Sequence, residues 1–377
     1  MLLTVMCAAQ NKHCGVIKLP EEAVRPKIAL PPVSAPSYEF CLRTADTLSL
    51  LFIGDVMTHI RQIEYAYTGG DRSDASNYDY SSYFTHIRPM LDSVDFAVAN
   101  MEFPCGVRPF SGYPCFSAPE SLAEEAQRSG IDLFLSANNH ICDKGRAGID
   151  STIAIYTRLG APFTGLFSSE EDNRERNPFM ANIRGVKVAF INITYGTNGI
   201  PVPKPHVVGN LDTVRVKEAI GRAKARGAQY IIALPHWGEE YHLDCSRSQE
   251  RFADFLYRNG VNSIVGSHPH VVQKVTYDGS HVTAYSLGNF ISNMSIDYGQ
   301  IGMVCVLKIV RETDGTLTTL APEVTYTWCG RGGLLEKNYT TVPIEEWLGR
   351  KSDFISPSQY DKMVREWNAL KKKFNIE

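Results

Sequence analysis

Residues 262–271 read NSIVGSHPHV: a short apolar run at 263–265 halts at Gly266 and is followed at once by His268 and His270 around a proline. An apolar run of that length between turn residues reads as a strand buried within a sheet. Two imidazoles this close repel when charged and make poor core material when neutral, so they call for a partner such as a metal ion.

Working outward, the same grammar repeats. Short runs rich in Val, Ile, Leu and Phe occur at 48–54, 95–100, 132–138, 187–194, 229–235, 262–267 and 281–289. Between them lie segments of helical period near 119–129, 146–159, 212–226 and 247–259, each stopping at a glycine: Gly130, Gly160, Gly227 and Gly260. A glycine there supplies the left-handed cap that ends a helix before the next strand. Phe252, Phe255 and Leu256 share one face of the last helix and give it an apolar stripe for a sheet. Alternation of this kind predicts an α/β fold. Residues 302–310 and 316–328, joined by the turn ETDG, predict an antiparallel pair.

Composition limits the classes. With 377 residues, 44% of them hydrophobic, the chain can bury a large core, and it lacks the bias of disordered or fibrous proteins. Thirty-eight basic residues against 41 acidic ones, without a long run of either sign, argue against a nucleic-acid partner. The nine cysteines form no CxxC pair; only Cys105 and Cys115 are close enough in sequence to suggest a local bridge, and buried free thiols are the plainer expectation. The start, MLLTVMCAAQNKHC, reads as an incomplete signal peptide or lipoprotein leader, which predicts an extracytoplasmic or membrane-anchored place in the cell envelope. Residues 1–47 thus divide into that leader and a proline-rich, extended lead-in, 48–330 form the main domain, and 331–377 form a tail that is either packed on the domain or separate.

Ligands of open α/β sheets bind beyond the carboxyl ends of the strands. Those positions carry Asp55 with His59 nearby, Asn100 and Glu102, Asn138, Asn139 and His140, His236, His268 and His270, and Asn289. Any one of them has an ordinary explanation as a helix cap or turn former. Together, carboxylate, carboxamide and imidazole are the ligand set of manganese, iron or zinc, and they are numerous enough for one or two ions. Two ions about 3.5 to 4 Å apart suit in-line hydrolysis, because they activate water and hold both attacking and leaving oxygens.

The motifs FIGDVM (52–57), ANMEFP (99–104), SANNHICDKGRAGI (136–149), LPHWGEEY (234–241), GSHPHVVQ (266–273) and YSLGNF (285–290) occur in that order. In them the chain resembles the CapA-type poly-gamma-glutamate capsule biosynthesis proteins of the calcineurin-like metallophosphoesterase superfamily, over roughly residues 48–295. The resemblance implies a four-layer αββα sandwich with a metal site at the shared edge of two central sheets. It also implies Asp55 and His270 as ligands of a first metal, Asn139, His236 and His268 as ligands of a second, and Glu102 as the bridging carboxylate. His140 matches the histidine that contacts the scissile group or protonates the leaving group, with Asp143 either orienting it or capping the following helix.

Two departures from the family pattern stand out. Metallophosphoesterases open with Asp-x-His, but Met57 stands two residues after Asp55, so His59 is the imidazole left to reach the first metal; and a glutamate takes the place of the bridging aspartate. Asn100, Asn138, Glu239 and Asn289 are the expected substrate-binding or supporting residues. Two functions follow: a metal-dependent hydrolase of a phosphoester or of an amide in an anionic polymer, or a non-catalytic polyglutamate-binding component of a membrane-anchored capsule synthesis or export assembly.

Overall fold

The computed structural model describes residues 37–40 and 47–376; the leader reading lies outside the described residues. Every strand whose fate matters for the site is apolar on both faces, and the structure shows why. Along Thr47–Val56, Leu48, Leu50 and Phe52 enter one core cluster, whereas Leu51 and Ile53 enter another with Ile63, Leu122, Ala126 and Tyr156. Along Val186–Thr194, Val188 and Phe190 enter the first cluster, whereas Ala189, Ile191 and Ile193 meet Val216, Ala219, Ile220 and Leu256. The first cluster therefore lies between two sheets, and the other two lie between each sheet and its own helices. Phe96 and Phe190 stack across the central layer with ring centroids 5.3 Å apart. Side chains of this size stabilise the fold by about 1.5–3 kcal/mol each when fully buried. The architecture is a four-layer αββα sandwich.

Among the described residues, one sheet has seven strands, in the order Ser37–Phe40, Phe179–Ile183, Val186–Thr194, Tyr230–His236, Ser263–Val265, Val282–Ala284, Val275–Tyr277. The other has nine and is built around Thr47–Val56, which is flanked by Phe96–Met101 in parallel and Ile301–Arg311 antiparallel. The helices expected from the sequence span Glu120–Arg128, Gly145–Leu159, Thr213–Ala225 and Arg247–Arg258, and Gly130, Gly160, Gly227 and Gly260 all have positive φ.

Within the extended lead-in, Ser37–Phe40 forms an edge strand parallel to Phe179–Ile183. One expectation changes. The run 281–289 is not one strand: Val282–Ala284 belongs to the seven-stranded sheet, and Asn289–Ile291 pairs with Thr47–Val56 in the other. Asn289 thus begins a strand instead of following one. Cys105 and Cys115 are free thiols, the plainer of the two expectations, and Cys115 Sγ lies 2.9 Å from the Asp143 carbonyl oxygen.

The crossing between sheets is tight. Gly288, at φ +65°, accepts the Asp55 amide at 2.9 Å, and a Cβ on Gly54 would sit 2.0 Å from the Gly288 carbonyl oxygen. After residue 330 the chain adds the strand Thr340–Pro343 and the helix Pro357–Phe374, whose Met363, Trp367 and Leu370 are buried in the inter-sheet cluster. No helix among the described residues is long and apolar enough to cross a membrane.

Candidate metal centre

Parallel strands of both sheets end at one edge of the sandwich, and register sets the first side chains side by side. Asp55 pairs with Asn100 on one flank and with Asn289 on the other, and His236 bridges to Ser267. Asp55, Asn100, Glu102, Asn138, Asn139, His140, His236, His268, His270 and Asn289 are all buried.

Their ligand atoms converge. Glu102, His236 and His268 form one group whose candidate ligand atoms lie within 4.8 Å of one another, and Asp55, Glu102 and His270 form a second, so Glu102 is common to both. A third group contains Glu240, His268 and His270. Glu102 Oε1 is 3.7 Å from both His236 Nε2 and His270 Nε2. Asn139 Oδ1 lies 2.8 Å from His236 Nε2. Two histidines are held by their remaining nitrogens: His270 Nδ1 donates to Asn289 Oδ1 at 3.0 Å, and His236 Nδ1 meets Ser267 Oγ at 3.0 Å. Such contacts turn Nε2 toward the centre, as the outer partners of metal-binding imidazoles do.

Burial without partners is the test of whether a cation fits. Asp55 Oδ2, Glu102 Oε1, Asn100 Oδ1 and His268 Nδ1 are buried and have no hydrogen-bond partner, a costly arrangement for acceptor atoms in a dry interior. Divalent cations at the two groups that share Glu102 would satisfy the Asp55, Glu102 and His268 atoms, so these residues fit such an ion. The electrostatics agree. Burial, then the neighbouring Asp55 carboxylate, push the Glu102 carboxyl well above the usual carboxylate range. Burial, then the charge of His268, hold His236 well below the ordinary imidazole value, and burial with His270 lowers His268 to about 3. Both shifts favour the neutral form of His236 and His268, the form that ligates a cation. His268 at φ +102° and His270 at φ +58° are non-glycine residues in a backbone region that costs of order 1–3 kcal/mol and clusters at functional sites.

Beside this cluster His140 Nδ1 meets Asp143 Oδ2 at 2.8 Å, and the Phe116 amide donates to the same carboxylate oxygen at 2.8 Å. Lys144, not Asp143, is the N-cap of the helix Gly145–Leu159, so the carboxylate orients His140. The His140 ring packs edge-on against Phe116 with centroids 4.6 Å apart.

Other expectations shift. His59 joins none of the three groups: it caps the helix Ile60–Ala66, its Nδ1 lies 3.1 Å from Gln62 Oε1 and accepts from the Asn293 amide at 3.3 Å, and burial lowers it to about 4. Glu239 is exposed, and its neighbour Glu240 is the one that faces the histidines. Asn138 spends its amide nitrogen on the Met101 carbonyl and its oxygen on the His140 amide. Asn289 Nδ2 bonds the carbonyls of His270 and Gly299, and Asn100 Nδ2 bonds Asp55 Oδ1 at 2.7 Å. Of the roles expected for these three asparagines, their contacts fit the supporting one, since their amides meet ligands and loop carbonyls. Sequence reasoning missed Tyr195, whose ring lies 4.5 Å from that of His268, and Asn198, which accepts from Asn139 Nδ2 at 3.3 Å. Both sit in the turn YGTNG, where nothing local distinguishes them from ordinary loop residues.

Fold and site together define a four-layer αββα sandwich with a carboxylate–imidazole cluster at its strand ends. A family model described as "Bacterial capsule synthesis protein PGA_cap" matches residues 49–294, and the chain belongs to that family. The capsule biosynthesis protein CapA of Bacillus anthracis is 27% identical over 263 residues, 66% of this chain and 61% of that protein. The PGA biosynthesis protein CapA of Bacillus subtilis (strain 168) is 26% identical over 256 residues, 65% and 63% of the two chains. The matches thus span about three fifths of the length of these curated relatives. Among solved structures, the calcineurin-like phosphoesterase YfkN from Bacillus subtilis superposes with a TM-score of 0.43 at 17% identity, covering 74% of this chain and 90% of that one.

Proposed function

We propose that the chain is a metal-dependent hydrolase acting on a phosphoester, or on an amide bond of an anionic polymer, in capsule or poly-gamma-glutamate biosynthesis at the cell envelope, alongside a membrane-anchored synthesis assembly. The observation that carries this is the gathering of buried, unpartnered ligand atoms at one edge of the sandwich, with Glu102 common to two groups, next to a histidine bonded to a carboxylate. Manganese, iron or zinc suits the donor set. A divalent cation bound there supplies Lewis-acid polarisation and acidifies water.

The chain's own residues do the rest. Asp55, Glu102 and His270 would hold one ion, and Glu102, Asn139, His236 and His268 a second. Asn289 fixes the His270 tautomer, and Ser267 fixes the His236 ring. His140, with Nδ1 tied to Asp143, has Nε2 as the nitrogen that can protonate a departing oxygen or nitrogen. The burial of the whole cluster strengthens each of these interactions by excluding water.

One observation favours the non-catalytic, polyglutamate-binding alternative: buried Met57 occupies the usual first-metal histidine position, and His59 does not replace it. The test compares wild type with His140→Ala and His268→Ala on phosphodiester and gamma-glutamyl substrates with added manganese, together with metal analysis of protein purified without chelator. The hydrolase reading expects co-purifying metal, its loss in His268→Ala, and in His140→Ala a rate at least about a hundredfold lower with metal retained. Polymer binding without turnover in wild type, unchanged by His140→Ala, overturns it in favour of the binding component.

A further inference from the structure

We propose that Arg331 is an anion-binding residue at the same edge of the sandwich, pairing with a carboxylate or phosphate group of the polymer near the metal centre; the proposal rests on the anionic-polymer reading above. Arg331 follows the strand Glu323–Gly330 and lies beyond the residues that the family model matches, so this feature belongs to the chain's C-terminal part.

Its surroundings are unusual for an arginine. Gln300 is buried, donates from Nε2 to the Cys329 carbonyl at 2.9 Å, and with Oε1 accepts from both Arg331 Nη2 at 3.0 Å and Lys362 Nζ at 2.6 Å. Two cations therefore share one neutral oxygen. Lys362 has its own acid, Glu366, at 3.4 Å. Arg331 has none: among the described residues it forms no ion pair, and its Nε is buried without a partner. A half-buried guanidinium that shares its acceptor with a lysine carries desolvation and repulsion costs that an oxyanion would relieve. Its planar fork matches carboxylate and phosphate geometry.

The position is right for a residue of that edge: Glu323–Gly330 runs antiparallel to Ile301–Arg311, itself antiparallel to Thr47–Val56, so Arg331 follows a strand that ends on the same side as Asp55. Asn289 Nδ2 donates to the carbonyls of both His270 and Gly299, so Gln300 starts one residue from the scaffold that holds a candidate ligand. Cys329 Sγ meets the Ser292 carbonyl at 3.3 Å, and the next residue, Asn293, donates its amide to His59. The loop after Arg331 is pressed onto the helix that His59 begins: a Cβ on Gly332 would sit 2.6 Å from the Tyr65 ring.

The experiment titrates the full chain and its Arg331→Gln, Arg331→Lys and Lys362→Gln variants with gamma-linked polyglutamate and with inorganic polyphosphate, across a salt series, and needs no turnover. Arg331→Gln is expected to weaken binding of at least one polymer about tenfold and to flatten its salt dependence, with metal content and melting temperature kept. The polymer that responds names the anion. Arg331→Lys should recover part of the loss, and Lys362→Gln should lower the melting temperature while holding affinity within about twofold. Wild-type affinity for both polymers in Arg331→Gln overturns the proposal, as does an equal loss in Lys362→Gln or no binding by the wild type. Failure of the hydrolase reading looks different: binding that depends on Arg331 with no turnover at all.

Discussion

At the scale of residues, His140 depends on a carboxylate that performs no chemistry itself. Asp143 is only 2% exposed in its side chain and splits its Oδ2 between the His140 ring and the Phe116 amide, so it can neither rotate away nor face substrate. Asp143→Asn removes the charge and offers a donor where His140 Nδ1 needs an acceptor. We expect kcat on a phosphodiester substrate with manganese to fall more than about tenfold, with KM and bound metal unchanged. A KM effect of equal size with kcat intact would show that Asp143 serves binding. The sequence placed Asp143 three residues from His140 but left its partner open, because a carboxylate before a helix is equally good as a cap; the 2.8 Å contact and the Lys144 N-cap favour the orienting reading. Glu240 shows the opposite limit. Two adjacent glutamates are indistinguishable in sequence, and the backbone that turns one of them inward, with Tyr241 at φ +68°, is a tertiary matter.

At the scale of elements, the strands of the site were legible because burial on both faces writes an uninterrupted apolar run. The seven quoted runs all contain strand, and the four glycine-terminated helices end within a residue or two of expectation. Short elements were not legible. Ile60–Ala66, Arg88–Asp92 and Glu170–Arg176 are too brief for periodicity to register, and only Ser169 among their starting residues has a side chain acting as a hydrogen-bonding cap in the usual manner. The 281–289 run misled because one apolar stretch serves two sheets, and apolarity does not say which. The crossing imposes a sharp constraint at Gly54, whose missing side chain makes room for the Gly288 carbonyl. Gly54→Ala should cost about 2 kcal/mol or more and displace Asp55, read as a lowered urea midpoint and weaker metal retention. An unchanged midpoint would mean that the two sheets are less closely joined there than the structure shows.

At the scale of the whole molecule, the tail beyond residue 330 is part of the same core. The helix Pro357–Phe374 buries Gln359, Met363, Glu366, Trp367 and Leu370 on one stripe, and three of these side chains enter the inter-sheet cluster. At about 1.5–3 kcal/mol for each large apolar side chain, losing Met363, Trp367 and Leu370 removes about 5 kcal/mol or more, comparable to the entire stability of many domains. A chain ending at residue 356 should therefore melt far below the full chain or fail to fold, followed by circular dichroism and by binding of a hydrophobic dye. A truncated chain with the full melting temperature would make the tail an independent strap. Because the same segment carries Arg331 and Lys362, its docking also shapes the charge beside the site.

By itself the sequence determined the alternation of strand and helix and the chemical vocabulary at the strand ends, because both are written locally, in runs of apolar residues and in the residue types that follow them. It also held enough ordered motif to point to a family. Only the tertiary structure decided which of those polar groups meet: that Glu102 serves two groups at once, that His59 and Glu239 stand aside, and that Asn100, Asn138 and Asn289 spend their amides on neighbours. The physical reason is that a metal site is a matter of distances of a few ångströms between residues far apart in the chain, and those distances are set by how two sheets share an edge.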